Sequence, residues 1–201
     1  YKVTGVQTCA LPISVVSDRE SDIYEMFTRI PSDRIHLLLR SSHNRQLITG
    51  KTIKTHMADI PEVGSFKMKL QRITGKRNSR TAELSVKYDK VKIAKPISTY
   101  EPDEASGVEL TCVEINEIGQ IPNGEKRVYW RLLTTHKIDS MGQAVEIANW
   151  YSNRWIIEQI FHLMKKKGLC IEDSQIEKPE SLNKLLVLSF AAAIRVMALV
   201  E

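Results

Sequence analysis

The stretch Tyr151–Lys166, YSNRWIIEQIFHLMKK, decides how the fold is interpreted, because its polar and apolar side chains separate at helical spacing. At 100° per residue of an α-helix, four of its polar residues fall within a stripe of about 60°, and six apolar residues between Ile156 and Met164 take the opposite arc. The stripe contains Tyr151, Arg154, Glu158 and Lys165. The pattern predicts one amphipathic helix. As a solvated face it would contain an i,i+4 pair of Arg154 with Glu158, which stabilises a helix by roughly 0.2–0.5 kcal/mol.

The full spacing of the stripe, Tyr-x2-Arg-x3-Glu-x6-Lys, favours a second interpretation. It resembles the Y-R-E-K signature of the bacterial insertion-sequence transposases of the DDE type, in the insertion-sequence-four family of cut-and-paste enzymes. The resemblance implies that Glu158 is a catalytic carboxylate that binds metal. It also implies that Tyr151, Arg154 and Lys165 contact DNA.

A second match to this family lies in residues 14–27, SVVSDRESDIYEMF. An apolar, β-branched run ends at Asp18 and a helical pattern begins directly after it, so Asp18 is expected at the carboxyl end of a strand. An isolated aspartate here would be interpreted as a helix cap. Beside the downstream signature, Asp18 resembles the second catalytic aspartate of the family, followed by Arg19 and Glu20. The resemblance implies that Asp18 is a metal ligand and Arg19 a DNA contact.

A third match lies between the first two. The alternation over residues 128–133 predicts a strand, and Asp139 or Ser140 is expected to start the next helix. In the family, a tryptophan on the last strand before this helix stacks against a base flipped out of the transposon end, and Trp130 occupies that position. The alternative is a tryptophan of the hydrophobic core. The resemblance runs from about Val15 to Glu201.

The order of the predicted elements places a β-rich block between two α/β pieces, which indicates an α/β fold with an insertion. The resemblance implies a ribonuclease H-like catalytic core that carries this insertion. Residues 15–33 would begin the retained core. Residues 34–135 would form the β-rich insertion, including a core strand near 34–42, and residues 136–201 would supply the C-terminal helices of the core.

Both ends of the chain suggest a fragment. Residues 3–14, VTGVQTCALPIS, match a translated sequencing-adapter oligonucleotide, so residues 1–14 are expected to be non-native. A signal peptide is disfavoured because the segment lacks a basic start and a long apolar run. The first catalytic aspartate of the family would lie upstream, so the resemblance implies an N-terminally truncated and inactive piece. Residues 183–201 are strongly apolar but interrupted by Arg195, which argues against a membrane span.

The charge distribution suggests contact with nucleic acid. The formal net charge of the 201 residues is +5, and cations are concentrated between Lys67 and Lys95. A charge run is usually a solvated face, but a basic run interleaved with short strands also suits phosphate contact. Within this run, Lys76, Arg77 and Arg80 are predicted DNA contacts.

Other chemistries find less support in the sequence. Cys112 and Cys170 form neither a CxxC pair nor a metal-ligand spacing, which argues against zinc and fits a reducing cytoplasm. The sequence has no glycine-rich phosphate loop, so nucleotide hydrolysis is not indicated.

The resemblance implies a DNA transposase that cleaves and joins strands with two divalent metal ions, Mg²⁺ or Mn²⁺, held by Asp18 and Glu158. Its partners would be transposon-end and target DNA, with the parent protein a dimer in the synaptic complex. It would act at the bacterial nucleoid in the cytoplasm and not at a membrane. The alternatives are another ribonuclease H-like nuclease with a different acid set, or a non-catalytic DNA-binding remnant.

Overall fold

The computed structural model describes residues 12–72, 77–96, 107–166 and 171–199. The chain divides into two units, Tyr1–Tyr151 and Ser152–Glu201. The strands are β1 (Ile13–Ser17), β2 (Ile35–Arg40), β3 (Gly64–Leu70), β4 (Arg80–Ala94), β5 (Gly107–Ile118) and β6 (Tyr129–Thr134). The α-helices are α1 (Tyr24–Arg29), α2 (Ile53–Asp59), α3 (Met141–Asn153), α4 (Trp155–Lys166) and α5 (Pro179–Ala198).

The six strands form one sheet in the order β1-β2-β6-β5-β4-β3. β1 and β2 are parallel, and each of the other neighbouring pairs is antiparallel. The predicted α/β fold is confirmed, and it is consistent with a ribonuclease H-like core. The strands of the expected insertion extend the sheet that β1 and β2 begin, and the boundaries of that insertion stay a prediction. β1 starts at Ile13, inside the segment expected to be non-native.

Alternating side chains on the strands supply a core on each face of the sheet. One face, here called the α3 face, packs a cluster with α3 that includes Leu84, Val113 and Leu132. The other face packs α1 and α2 over a second cluster that includes Leu37 and Ile93. Because both faces are covered there, β2 is buried on both sides at residues 37–39 and β6 at residues 132–134, whereas β3 exposes Ser65, Lys67 and Lys69.

The start of α3 is the one predicted from the sequence. The Ser140 hydroxyl accepts a hydrogen bond from the Gln143 amide (3.3 Å), and the Asp139 amide donates to the Gln143 side-chain oxygen (2.8 Å). These bonds satisfy amide groups that have no partner within the first turn of a helix.

The prediction of one helix through the Y-R-E-K stretch is wrong. α3 ends at Asn153, Arg154 lies in a turn, and α4 begins at Trp155. The break follows Ser152-Asn153, two residues whose side chains compete for backbone hydrogen bonds and lower helix propensity. The polar stripe calculated for one continuous helix is therefore divided between two helices.

The second unit contains α4 and α5, which pack through Ile160, Met164 and Ala193. Among the described residues, only α5 is long and apolar enough to cross a membrane, with a mean hydropathy of 1.5. Its composition therefore does not support the expectation that Arg195 makes this segment too interrupted to span. One such helix is weak evidence for a membrane span, because a core helix of a soluble protein can be equally long and apolar.

Candidate functional site

Asp18 lies where the sequence predicts it, directly after the carboxyl end of β1. Its backbone is extended (φ −92°, ψ −162°), so the alternation of β1 gives it the same side as Val16, which packs on the α3 face. One carboxylate oxygen accepts a hydrogen bond from the Glu20 amide (3.1 Å) at the start of a short 3₁₀ turn, Arg19–Ser21. Asp18 thus ends a strand and also caps the turn that follows.

Trp130 and Tyr151 contact one another on the α3 face. Their ring centroids are 5.2 Å apart with an interplanar angle of 68°, an edge-to-face arrangement. Tyr151 is only 6% exposed, so its predicted place on a solvated polar stripe is wrong. The ring is buried because Tyr151 lies on α3, whose inner side packs against the sheet.

The register of the sheet places Trp130 at the same edge as Asp18. Ser17 pairs with Leu39, and Leu39 pairs with Leu133 on the antiparallel strand β6. Asp18 follows Ser17 along β1, and Trp130 precedes Leu133 along β6. Because β1 and β6 run in opposite directions, both residues lie at the same end of these strands. The first unit therefore brings Asp18, Trp130 and Tyr151 to one edge and one face of the sheet.

The other residues of the Y-R-E-K stretch lie in the second unit. Arg154 donates to the Glu158 carboxylate at 2.7 Å, and the Glu158 side chain remains 42% exposed. Glu158 stands in the first turn of α4, where the helix dipole favours a negative charge. Lys165 forms an ion pair with Glu172 at 2.7 Å.

The cations predicted from the basic run differ in environment. Arg19 is exposed, and Lys76 lies outside the described residues. Arg77 donates from Nε (3.2 Å) and Nη2 (3.1 Å) to the backbone oxygen of Gln71. Arg80 forms ion pairs with both Glu117 and Glu125, the second at 2.6 Å, and its side chain is 15% exposed. Arg77 and Arg80 therefore donate to hydrogen-bond acceptors within the protein.

The Arg80 cluster, formed by Arg80, Glu117 and Glu125, joins β4 and β5 to the loop that leads into β6. The Glu117 side chain is 1% exposed and also accepts the Val128 amide at 2.9 Å. Burial alone would raise the pKa of Glu117, but the hydrogen bonds from Arg80 and Val128 outweigh it and hold that pKa below its usual range. Arg80 in turn has its pKa raised by the hydrogen bond to Glu117.

A buried ion pair that the sequence did not predict lies four residues after Asp18. The Asp22 side chain is 0% exposed, and Arg45 reaches one of its carboxylate oxygens with Nε (2.9 Å) and Nη2 (2.7 Å). Burial would raise the pKa of Asp22, but the His43 amide and Arg45 hold it below its ordinary value. The sequence signals Asp22 only as a polar position in the segment after Asp18, and no periodicity connects it to Arg45.

A second unpredicted cluster lies on the same strand as Trp130. The Tyr129 hydroxyl donates to Glu114 at 2.7 Å, and Arg131 donates to the same carboxylate oxygen at 2.7 Å. Burial and the bond to Glu114 raise the pKa of Tyr129 to about 12, so the phenol stays protonated at neutral pH. Alternation directs Tyr129 and Arg131 to the face opposite Trp130.

The candidate metal ligands are two carboxylates in different units, Asp18 in the first and Glu158 in the second. Across the part of the chain that the structure describes, no three His, Cys, Asp or Glu side chains form a group that could hold a metal ion. Asp18 is half-buried and Glu158 is exposed, so each presents oxygen atoms of the type that Mg²⁺ and Mn²⁺ prefer.

The first unit is thus a mixed α/β sheet with an aspartate and an aromatic pair at one edge. The model of one family, the transposase DDE domain, matches residues 6–195 of this chain. The chain belongs to the DDE transposase family, and its domain is of the polynucleotidyl transferase type. The predicted resemblance is confirmed at this level, while membership of the insertion-sequence-four group stays a prediction.

Proposed function

We propose that this domain belongs to a transposase that catalyses metal-dependent cleavage and transfer of DNA strands at transposon ends, as the insertion-sequence-four transposases do. The observation that carries the proposal is the common edge and face of Asp18, Trp130 and Tyr151 in a chain matched to the transposase DDE domain. Transposon-end and target DNA are its substrates, in the bacterial cytoplasm at the nucleoid. The parent protein works as a dimer in the synaptic complex.

Asp18 and Glu158 are the proposed metal ligands. Transposase DDE domains use divalent metals, and the hard carboxylate oxygens of these two residues suit Mg²⁺ or Mn²⁺. A bound pair of such ions supplies an activated nucleophile and stabilises the leaving oxygen of the cleaved strand. The Glu20 amide donates a hydrogen bond to the Asp18 carboxylate and orients it.

Trp130 is the proposed stacking surface for a base next to the cleavage site. The indole is half-buried and packs against the Tyr151 ring in an edge-to-face contact, so part of its surface is held while part stays accessible. A rigid aromatic surface lowers the entropic cost of holding an unstacked base, and base–aromatic stacking contributes about 1–3 kcal/mol. Tyr151 then has two proposed roles: it holds Trp130 in place, and it contacts the DNA backbone.

Arg154, Lys165 and Arg19 are the proposed phosphate contacts. Each side chain keeps part of its surface in solvent, and the ion pairs of Arg154 and Lys165 are with partly exposed carboxylates that a phosphate can replace at small cost. The guanidinium of Arg80 is different because it neutralises the buried Glu117. We therefore infer a structural role for Arg80 and leave the DNA contacts to the other cations.

Binding of Mn²⁺, followed by electron paramagnetic resonance, tests the metal proposal. We expect the chain to bind Mn²⁺ more tightly in the presence of a hairpin DNA, and Asp18→Asn or Glu158→Gln to weaken that binding on the order of tenfold or more. The matched controls are Asp33→Asn and Glu146→Gln, which remove carboxylates from exposed positions elsewhere in the chain. Equal affinities in all five proteins would reject the two ligands.

A fluorescent base tests the stacking proposal separately. With 2-aminopurine placed in turn at the terminal positions of a hairpin duplex, we expect one position to change its emission on binding and Trp130→Ala to remove that change. DNA binding without any change in emission, and with no dependence on Mn²⁺, would instead support the non-catalytic DNA-binding remnant.

A further inference from the structure

We propose that the buried ion pair of Asp22 and Arg45 positions the loop that carries Asp18, so that both are positioning residues for the metal ligand. The inference rests on the proposed metal role of Asp18. The loop in question comprises residues 17–23, here called the Asp18 loop. Nothing in the catalytic assignment requires Asp22 or Arg45, yet they form the most completely hydrogen-bonded buried carboxylate near the edge of the sheet.

The Asp22 carboxylate connects the ends of two neighbouring parallel strands. Its first oxygen accepts two bonds from Arg45, and its second accepts the amides of Ser42 (2.7 Å) and His43 (3.0 Å). Ser42 and His43 follow β2, just as Asp22 follows β1. The carboxylate therefore joins the loop after β1 to the loop after β2, at the carboxyl ends of the two strands where Asp18 lies.

Arg45 is itself fixed from several sides. Its side chain is 11% exposed, its guanidinium lies 5.8 Å from the centroid of the Phe27 ring on α1, and it donates to the backbone oxygen of Asp22. The backbone oxygen of Arg45 accepts the Ile53 amide at 2.9 Å, at the start of α2. Arg45 thus transmits the position of α1 and α2 to the Asp18 loop.

The segment between Asp18 and Asp22 is short and hydrogen-bonded. Only the 3₁₀ turn Arg19–Ser21 separates them. The Asp22 amide donates to the Arg19 backbone oxygen (3.3 Å), and the Glu20 amide donates to the Asp18 carboxylate (3.1 Å). A shift of Asp22 therefore turns the amide that orients Asp18.

Among the described residues, the carboxyl end of β1 has few strand contacts, which gives such a clamp a role. β1 is an outer strand of the described sheet, paired with β2 alone, so its carboxyl end has a strand neighbour on one side only. Loops at strand ends open locally at low cost unless other contacts hold them. The Asp22–Arg45 pair supplies such contacts by joining the loop after β1 to the loop after β2.

Amide hydrogen exchange on the whole chain tests the clamp directly. The variants are Asp22→Asn, which places an amide against the Arg45 donors, and the milder Arg45→Lys, which keeps the charge and loses the two-pronged contact. We expect exchange in residues 17–23 to rise roughly tenfold in Asp22→Asn and less in Arg45→Lys, with β4 and β5 unchanged. The matched control is Asp59→Asn, which breaks the exposed pair with Lys51.

A merely structural role would give a different result. If Asp22 and Arg45 only stabilise the unit, exchange rises in all strands together, or no rise is found in residues 17–23, and either result overturns the inference. Should Asp22→Asn fail to fold, Arg45→Lys decides the matter by the same criterion.

The affinity for Mn²⁺ connects the clamp to the metal ligand. We expect Asp22→Asn to weaken Mn²⁺ binding on the order of tenfold, Arg45→Lys to weaken it less, and Asp59→Asn to have no effect. Unchanged affinity in a variant with a loosened Asp18 loop contradicts the positioning role. If the unaltered chain shows no Mn²⁺ site that depends on Asp18, the proposed function fails, while the exchange pattern still decides whether Asp22 and Arg45 hold the loop.

Discussion

Arg80 in the sheet and Arg154 at the start of the second unit are both predicted DNA contacts, but their surroundings differ. Arg80 holds a carboxylate that is 1% exposed, and its own side chain is 15% exposed. Arg154 pairs with a carboxylate that is 42% exposed, one helical turn away on the same segment. Arg80 neutralises a buried carboxylate of the sheet, whereas Arg154 lies beside a proposed metal ligand that must remain accessible to solvent.

The difference shows that the density of cations along a chain is a poor guide to which of them can reach a phosphate. A buried ion pair is costly to break from one side, because the remaining charge stays desolvated. A pair near the surface exchanges its partner for a phosphate at little cost. Substitutions at the two arginines should therefore separate stability from DNA affinity.

The largest effect is expected from Arg80→Met. The substitution leaves Glu117 charged and buried without its main partner, which costs about 3–5 kcal/mol in the free energy of unfolding. Urea denaturation followed by circular dichroism measures this. Arg72→Met, an exposed arginine of the same basic run, serves as the control. Identical midpoints for the two variants would show that the Arg80 cluster contributes nothing to stability.

A dependence of stability on pH should follow from the same buried carboxylates. Glu117 and Asp22 have pKa values below their ordinary ones in the folded state, so their contribution is complete above the pKa of the unfolded chain. It is lost as the pH falls through the folded pKa. We expect the denaturation midpoint to fall steeply below about pH 4, and the gap between the unaltered chain and Glu117→Gln to narrow there. A gap that is constant from pH 7 to pH 3 contradicts this.

A smaller effect is expected at the aromatic pair. The edge-to-face contact of Trp130 and Tyr151 should contribute about 0.5–1.5 kcal/mol beyond the area it buries. A double-mutant cycle with Trp130→Leu and Tyr151→Leu measures this coupling energy. If the changes in the free energy of unfolding are additive, the two rings do not stabilise one another, which contradicts the proposed rigidity of Trp130.

The smallest effect on stability is expected from Arg154→Met, at less than about 0.5 kcal/mol. Its effect should appear in DNA binding instead. The logarithm of the affinity falls with the logarithm of the salt concentration, and each lost phosphate contact reduces that slope by about one. Fluorescence anisotropy across a salt series should show the reduction for Arg154→Met and Lys165→Met. The slope for Arg80→Met should equal that of the unaltered chain.

Local signals in the sequence were sufficient for most of the sheet and for the position of Asp18 directly after β1. Alternating side chains predict β6, and apolar runs predict β2 and, before Asp18, β1. The start of α3 at Ser140 follows from cap chemistry within four residues. Each of these signals depends on neighbours along the chain, and for that reason a single sequence contains them.

The remaining features depend on contacts between distant segments. Glu117, the partner of Arg80, lies 37 positions away, and Arg45 lies 23 positions from Asp22. Which charges meet is decided by strand register and loop length, and neither can be obtained from composition or period. The break between α3 and α4 was missed for a different reason, because the apolar spacing continues through Arg154 while Ser152 and Asn153 lower the local helix propensity.

The pairing of β2 with β6 has a consequence for how the chain folds. β3, β4, β5 and β6 follow one another along the chain as antiparallel neighbours, so their contacts close short loops. β2 reaches β6 only by bringing together residues 97 positions apart, as in the bond from Thr134 to Leu37. Loop-closure entropy makes such contacts slow to form. We expect the meander of β3–β6 to form first, so that the edge with Asp18 is assembled on a sheet that already exists.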